Sequence, residues 1–203
     1  MNRTYSCVVF VWRPQFKTLV VFPLLSTLFF ALPKKGIHWQ WQAADGAMSK
    51  APLGGQATGP HPTDRGKKGT KRSLLTDGNG IPLAICVAGA NAPDCTVLID
   101  TLRAVVVEPP AEDTLQNLCL DKGYDYGFVE EIVLDFGYTP HIRARGEEKQ
   151  EKQEGKKPRR WVVERTHSWI NRFRRLLVRW EKKQANYLAF LQLAAFLIIY
   201  KQT

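Results

Sequence analysis

Apolar and polar positions divide the chain into an apolar leader, a middle that mixes strand and helix periods, and a helical end. Residues 38–44, HWQWQAA, alternate in polarity and predict a strand that closes at Asp45 and Gly46. The following stretch, APLGGQATGPHPTDRGKKGTKR, has no apolar period and predicts a loop. Residues 71–76 and 81–88 flank Asp77-Gly78-Asn79-Gly80, a turn sequence that joins them as a hairpin. The first three strands are then antiparallel neighbours. Asp94 is placed to cap a helix over 95–107, which Pro109 and Pro110 end. Residues 115–120 predict a strand stopping at Asp121, 126–136 a helix with Gly137 at its end, and 138–143 a further strand. A long helix over 159–183 carries Val162, Thr166, Trp169, Phe173, Leu176 and Trp180 in one core stripe. Glu164 falls on its basic face, among Arg160, His167, Ser168, Asn171 and Arg175. The last apolar stretch, 187–200, reads as a packing or dimer helix, too short to span a membrane. Three strands, helix, strand, helix, strand, helix is the order of an α/β fold: a mixed sheet covered by helices, with a C-terminal apolar helix.

Residues 1–36 differ from the rest and culminate in LVVFPLLSTLFFAL. Arg3 and Arg13 precede that run, but it is shorter than the ~20 residues that cross a bilayer, and no A-x-A cleavage site follows. An export or anchoring segment fits; so does a non-native or vestigial leader in front of a cytoplasmic domain over 37–203. Within that domain 146–158, GEEKQEKQEGKKP, is a charged linker or loop. A length of 203 residues, 44% of them hydrophobic, suits one compact domain with appendages. The formal charge of +10 favours a polyanionic partner, nucleic acid or an anionic membrane surface. The four cysteines form no CxxC pair and the histidines are scattered, which argues against zinc. Cys86 and Cys119 lie in apolar runs, where cysteine packs as a small hydrophobe.

Asp45 and Asp121 end predicted strands in matching ways, and adjacent strands would bring them together. With Glu164 from a helix packed on that sheet, three carboxylates can converge on two divalent ions ~4 Å apart, an arrangement suited to in-line displacement at a phosphodiester. Magnesium suits such oxygen ligands. The same residues have a plainer reading: Asp-Gly after a strand is ordinary turn chemistry, and Glu164 one turn from Arg160 is an ion-pair partner. Spacing does not decide between them. Arg65, Lys67, Lys68, Lys71 and Arg72 lie on the predicted glycine-rich loop, placed either to hold phosphates or simply to be solvated. Trp169 and Trp180 on the core stripe are packing residues.

The residues themselves carry a resemblance. The run Asp45-Gly46-Ala47-Met48-Ser49-Lys50-Ala51-Pro52-Leu53-Gly54-Gly55, followed by Thr58-Gly59-Pro60 and Pro62-Thr63-Asp64-Arg65-Gly66-Lys67-Lys68-Gly69, resembles the first catalytic block of DDE transposases from small bacterial insertion sequences. Leu120-Asp121-Lys122-Gly123-Tyr124-Asp125 is similar to the second-aspartate block. Arg160-Trp161-Val162-Val163-Glu164-Arg165-Thr166, with Asn171-Arg172-Phe173-Arg174-Arg175-Leu176, is similar to the third. The resemblance implies a ribonuclease-H-like fold. It implies that Asp45, Asp121 and Glu164 bind Mg²⁺ or Mn²⁺, two ions, and that the enzyme cuts element ends and joins them to target DNA. Arg160 fills the family's signature arginine place, whereas Lys157 stands where a tyrosine is usual and Asn171 where a lysine is usual; the resemblance implies DNA contacts by Arg160 together with Arg165, Arg172 and Arg175. A homodimer on DNA in the cytoplasm, without stable membrane association, is the expected setting. Only some forty residues precede Asp45, so an N-terminally truncated transposase, or a catalytically silent DNA-binding remnant, is the matching expectation.

Overall fold

The computed structural model describes residues 36–105, 107, 114–142 and 159–202; the leader up to residue 35 and the charged 146–158 segment lie outside them. One sheet contains β1 (Trp41–Lys50), β2 (Gly59–Pro60), β3 (Lys68–Asp77), β4 (Pro82–Gly89), β5 (Gln116–Leu120) and β6 (Tyr138–Ile142). β1 pairs antiparallel with β3 along its length, and β4 pairs antiparallel on the other side of β3, where β2 extends the same edge. On its far side β1 takes β5 in parallel, and β5 takes β6 in parallel. The helices are α1 (Asp94–Arg103), α2 (Gly127–Asp135), α3 (Trp161–Asn171), α4 (Arg174–Leu177) and α5 (Gln184–Tyr200), with a 3-10 turn at Lys122–Tyr124. This is the α/β arrangement, a mixed sheet covered by helices, that the order of elements predicts. Among the described residues no helix is long and apolar enough to cross a membrane.

Strand alternation sends neighbouring residues to opposite faces, and both faces are covered. Ala44, Leu75, Leu118 and Leu120 face α1 and α2, where Val97, Leu98, Leu102, Val129 and Val133 meet them. Ala43, Leu74, Val87 and Cys119 face α3 and α5, against Val163, Ile170, Tyr187, Leu188 and Leu191. Fully burying each such aliphatic side chain stabilises the fold by about 1.5–3 kcal/mol.

Four expectations need correcting. β1 does not close at Asp45 but runs on to Lys50, because β3 pairs with it as far as Gly69. Gly46 is therefore a close-approach residue rather than a turn residue: a Cβ there would stand 2.9 Å from Asp94 Oδ1. The expected loop gives way at Lys68 to β3, so Lys71 and Arg72 lie in a buried strand. Asp94 does not cap α1; Pro93 holds that position, and the Asp94 carboxylate takes Lys71 Nζ at 2.7 Å. The long helix over 159–183 is broken after Asn171, and Val178 joins the sheet edge beside Lys50. The backbone is extended at Phe173, before α4, and again at Val178, after which the fully buried Arg179 donates to Gln56 O, Ala57 O, Thr70 Oγ1 and Glu181 O and holds the chain at the sheet edge. The stripe stops with the helix, leaving Leu176 buried and Trp180 exposed.

The β3–β4 turn is tied down by Asp77. Its Oδ1 accepts from Asn79 N at 2.9 Å and Ile81 N at 2.7 Å, and its Oδ2 accepts from His38 N at 2.9 Å. Burial pushes this carboxyl above its ordinary range, and those three donors work against the shift. Asp77→Ala should therefore lose about 2–4 kcal/mol of stability to urea at pH 7, since buried donors are stranded. Asp77→Asn keeps an acceptor oxygen without the desolvated charge and should lose less than half as much; equal losses would show that the acceptor is unimportant.

Candidate active site

Register and alternation together decide where the two aspartates stand. Ala43 and Cys119 are partners across the parallel β1–β5 pair, and both point to the α3 face. Asp45 and Asp121 come the same two steps later on each strand, hence on that same face and level with one another. Asp121 keeps extended backbone just past β5, and its Oδ1 accepts from Lys122 N at 2.7 Å, starting the 3-10 turn. The Asp-Lys-Gly sequence is thus turn chemistry as well as a candidate site. α3 brings Glu164 over the same ground. Arg160, one turn earlier, pairs with Asp121 Oδ1 through one nitrogen and with Glu164 Oε1 at 3.1 Å through the other.

The three carboxylates are electrostatically unequal. Asp121 and Glu164 are exposed, whereas Asp45 is largely covered. Burial pushes the Asp45 carboxyl up to about 6, against the Gly46 N–H and Arg160, and with the added repulsion of Asp121 and Glu164. Below Asp45 lies His167, 6% exposed, whose Nε2 donates to Asp45 O at 3.3 Å. Burial, reinforced by the Arg72 charge, lowers His167 to about 4, so at neutral pH it is an uncharged imidazole.

α3 is anchored by side chains that reach far along the sequence. Arg165 lies between the Trp161 and Trp169 rings, 4.3 and 4.6 Å from their centroids, and donates to Asn79 O at 2.6 Å. Thr166 Oγ1 donates to Gly80 O at 2.9 Å, and Arg72 donates to Asn171 Oδ1 at 2.5 Å. Gly80 sits at φ +87 with Thr166 Oγ1 2.9 Å from where a Cβ would be, so only glycine fits this docking point.

Arg160 thus bridges Asp121 and Glu164, and its charge also acts on Asp45. Among the described residues, no group of three or more His, Cys, Asp or Glu side chains stands arranged to hold a metal ion. The expected phosphate-binding cations divide. Arg65, Lys67 and Lys68 are exposed on and beside the β2–β3 loop, roughly 17 Å beyond Asp45 along the sheet. Lys71 is 3% exposed and held by Asp94 and Ala92 O, and Arg72 is 2% exposed and held by Asn171; expecting them at the surface is corrected, because β3 is covered on both faces. Arg165 is committed to the hairpin turn. Arg172 is exposed at the end of α3, and Arg175 pairs with Glu181 and lies over the Phe190 ring at 5.5 Å. The sequence reading missed His167, set on the basic face of α3; its place one turn after Glu164 was the available signal.

Residues 38–199 match the family model described as the transposase DDE domain. The chain is 40% identical over 148 residues to a protein of Burkholderia cepacia assigned as the transposase for insertion sequence element IS402, covering 70% of this chain and 67% of that one. Among solved structures, the catalytic core domain of BIV integrase aligns at TM-score 0.41 and 14% identity over 77% of this chain and 81% of that one. The Mos1 mariner paired end complex with Mn aligns at TM-score 0.36 and 13% identity, over 76% of this chain and 58% of that one. The chain belongs to the transposase DDE domain family, among the transposases of insertion sequences.

The raised Asp45 value has a sign that can be measured. The folded value, about 6, lies above the ordinary 3.8, so ionisation is easier in the unfolded chain. Stability is then full below the unfolded value and declines as pH rises through 6. Asp45→Asn escapes that decline: in chelator at pH 8 it should be more stable than wild type by up to about 3 kcal/mol, with the difference vanishing near pH 4. Urea denaturation at the two pH values checks this, and a variant no more stable at pH 8 would remove the burial argument.

Proposed function

We propose that the chain cuts DNA at insertion-sequence ends and transfers the freed strands to target DNA, using divalent cations held by Asp45, Asp121 and Glu164. The observation that carries this reading is the bridging of Asp121 and Glu164 by Arg160 on the α3 face of the sheet, the face that Asp45 shares, near enough for all three charges to act on its carboxyl. The donor set fits Mg²⁺ or Mn²⁺: all three are hard oxygen ligands, and they concentrate more negative charge than one guanidinium neutralises. Two ions bound there would activate water or a 3′ hydroxyl and stabilise the departing oxygen.

The chain's own residues supply the rest. The partial burial of Asp45 excludes water from one side of the site, and the His167 bond to its carbonyl holds the strand beneath it. Arg165 and Thr166 fix the helix that carries Glu164, so the glutamate does not have to be ordered when substrate arrives. Arg65, Lys67, Lys68 and Arg172 are the exposed cations suited to phosphates, which position DNA without reading its sequence. A homodimer on DNA agrees with this assignment and with the cytoplasmic setting expected of it.

Asp121→Asn and Glu164→Gln should each lower Mg²⁺-dependent cleavage of element-end DNA by roughly a thousandfold or more while leaving DNA binding intact. Full cleavage by either variant refutes its role; binding without cleavage in the wild type would favour the silent remnant. Replacing Arg65, Lys67 and Lys68 together should flatten the slope of log affinity against log salt by up to about three units. Lys71→Met should leave that slope unchanged, since Lys71 is committed to Asp94, and a shallower slope in Lys71→Met would contradict its placement.

A further inference from the structure

The Arg160 guanidinium joins two carboxylates from different elements, Asp121 after β5 and Glu164 on α3, and it also acts on Asp45 across the same space. Its side chain is 24% exposed, against 52% for each of the two acids it joins, so the cation is the more enclosed partner. That is the reverse of a surface arginine reaching outward. Arg160 and Glu164 stand one helical turn apart, and the helix itself is pinned by Arg165 and Thr166 to the β3–β4 turn. The guanidinium is therefore delivered to the carboxylates by the same element that delivers the glutamate, and its local concentration does not depend on solution conditions.

Three carboxylates brought this close repel one another, and one of them is largely desolvated. A fixed cation between them relieves that repulsion. The carboxylates it engages are ones that would hold a hard divalent ion, and a guanidinium and such an ion would compete for them.

We propose that Arg160 is a displaceable internal counterion: it holds Asp121 and Glu164 together in the metal-free protein, and divalent cations enter the site by competing with it. This rests on the reading that Asp45, Asp121 and Glu164 bind metal. Arg160 is a positioning residue in this role, acting through the carboxylates. By linkage, a phosphate that takes up the released guanidinium tightens metal binding, and bound metal tightens phosphate binding to the same extent.

The test is Mn²⁺ binding by the full chain without DNA, read from the free-ion electron paramagnetic resonance signal, together with thermal unfolding in chelator and in Mn²⁺. Arg160→Gln should bind Mn²⁺ roughly tenfold more tightly than wild type, the size expected for removing a partly buried competitor. It should also melt lower in chelator and gain more from Mn²⁺ than wild type does. A loss of fold would weaken binding, so tighter binding cannot come from general damage. Arg160→Lys keeps a charge but loses the two-armed geometry and should fall between the two; should Arg160→Gln fail to fold, tighter binding by Arg160→Lys still supports the proposal, and equal or weaker binding overturns it. Equal or weaker binding by a folded Arg160→Gln, with binding abolished in Asp121→Asn, overturns the counterion role and leaves the metal site standing. Absence of Mn²⁺ binding in wild type and Arg160→Gln alike overturns the metal site and this proposal with it.

Discussion

The parallel pairing of β1 with β5 is the constraint on which the rest of the site depends. Ala43 opposite Cys119 sets both the level and the face of everything that follows on the two strands. A slip of one residue would keep the strands hydrogen-bonded but send Asp121 to the α1 and α2 face, while Asp45 stayed under α3. The hydrophobic pattern guards against this slip. Leu118 and Leu120 belong to one core and Cys119 to the other, so the two aspartates are aligned by apolar residues that never touch the chemistry.

Covering the sheet on both faces also dictates what happens to charge within it. Lys71 and Arg72 are neighbours on β3 and must leave in opposite directions; Lys71 meets the Asp94 carboxylate, and Arg72 meets the neutral Asn171 amide oxygen through one nitrogen. Arg179 meets four acceptors at the sheet edge. A buried cation left unpaired would cost several kcal/mol. Asp45 is the contrasting case: burial raises its carboxyl further than the Gly46 N–H and Arg160 lower it, and Asp121 and Glu164 add repulsion.

The sheet was legible in the sequence wherever local pattern and tertiary position agree. The Asp77-Gly78-Asn79-Gly80 turn, the strand before Asp121 and the helix ended by Gly137 all stand within a residue or two of where periodicity puts them. Pattern failed where a polar residue is used inside the fold. β3 was read as beginning late because Lys68, Lys71 and Arg72 look like a solvated loop, and periodicity has no means of knowing that Asp94 and Asn171 wait for two of them. The helix over 159–183 overextends because Leu176 and Trp180 keep the stripe going on paper, while extended backbone at Phe173 and Val178 breaks it in space and Arg179 is held at the sheet edge. In the site the three acids came from resemblance, since spacing alone left turn chemistry equally open. Arg160 was recognised as a signature residue, but its bridging of Asp121 and Glu164 follows only from β5 and α3 lying side by side.

The anchors of α3 have a mutational consequence. Arg165, Thr166, His167 and Asn171 attach the helix to the hairpin turn, β1 and β3, all of which precede it by a long stretch of sequence. Glu164 is thereby located by lateral docking, and the connection that arrives from β6 is not what sets its position. Such a helix behaves as a plug-in module. The glutamate's address is therefore written in residues far upstream, and a substitution at Gly80 or Arg72 would disturb it although neither is near Glu164 in sequence.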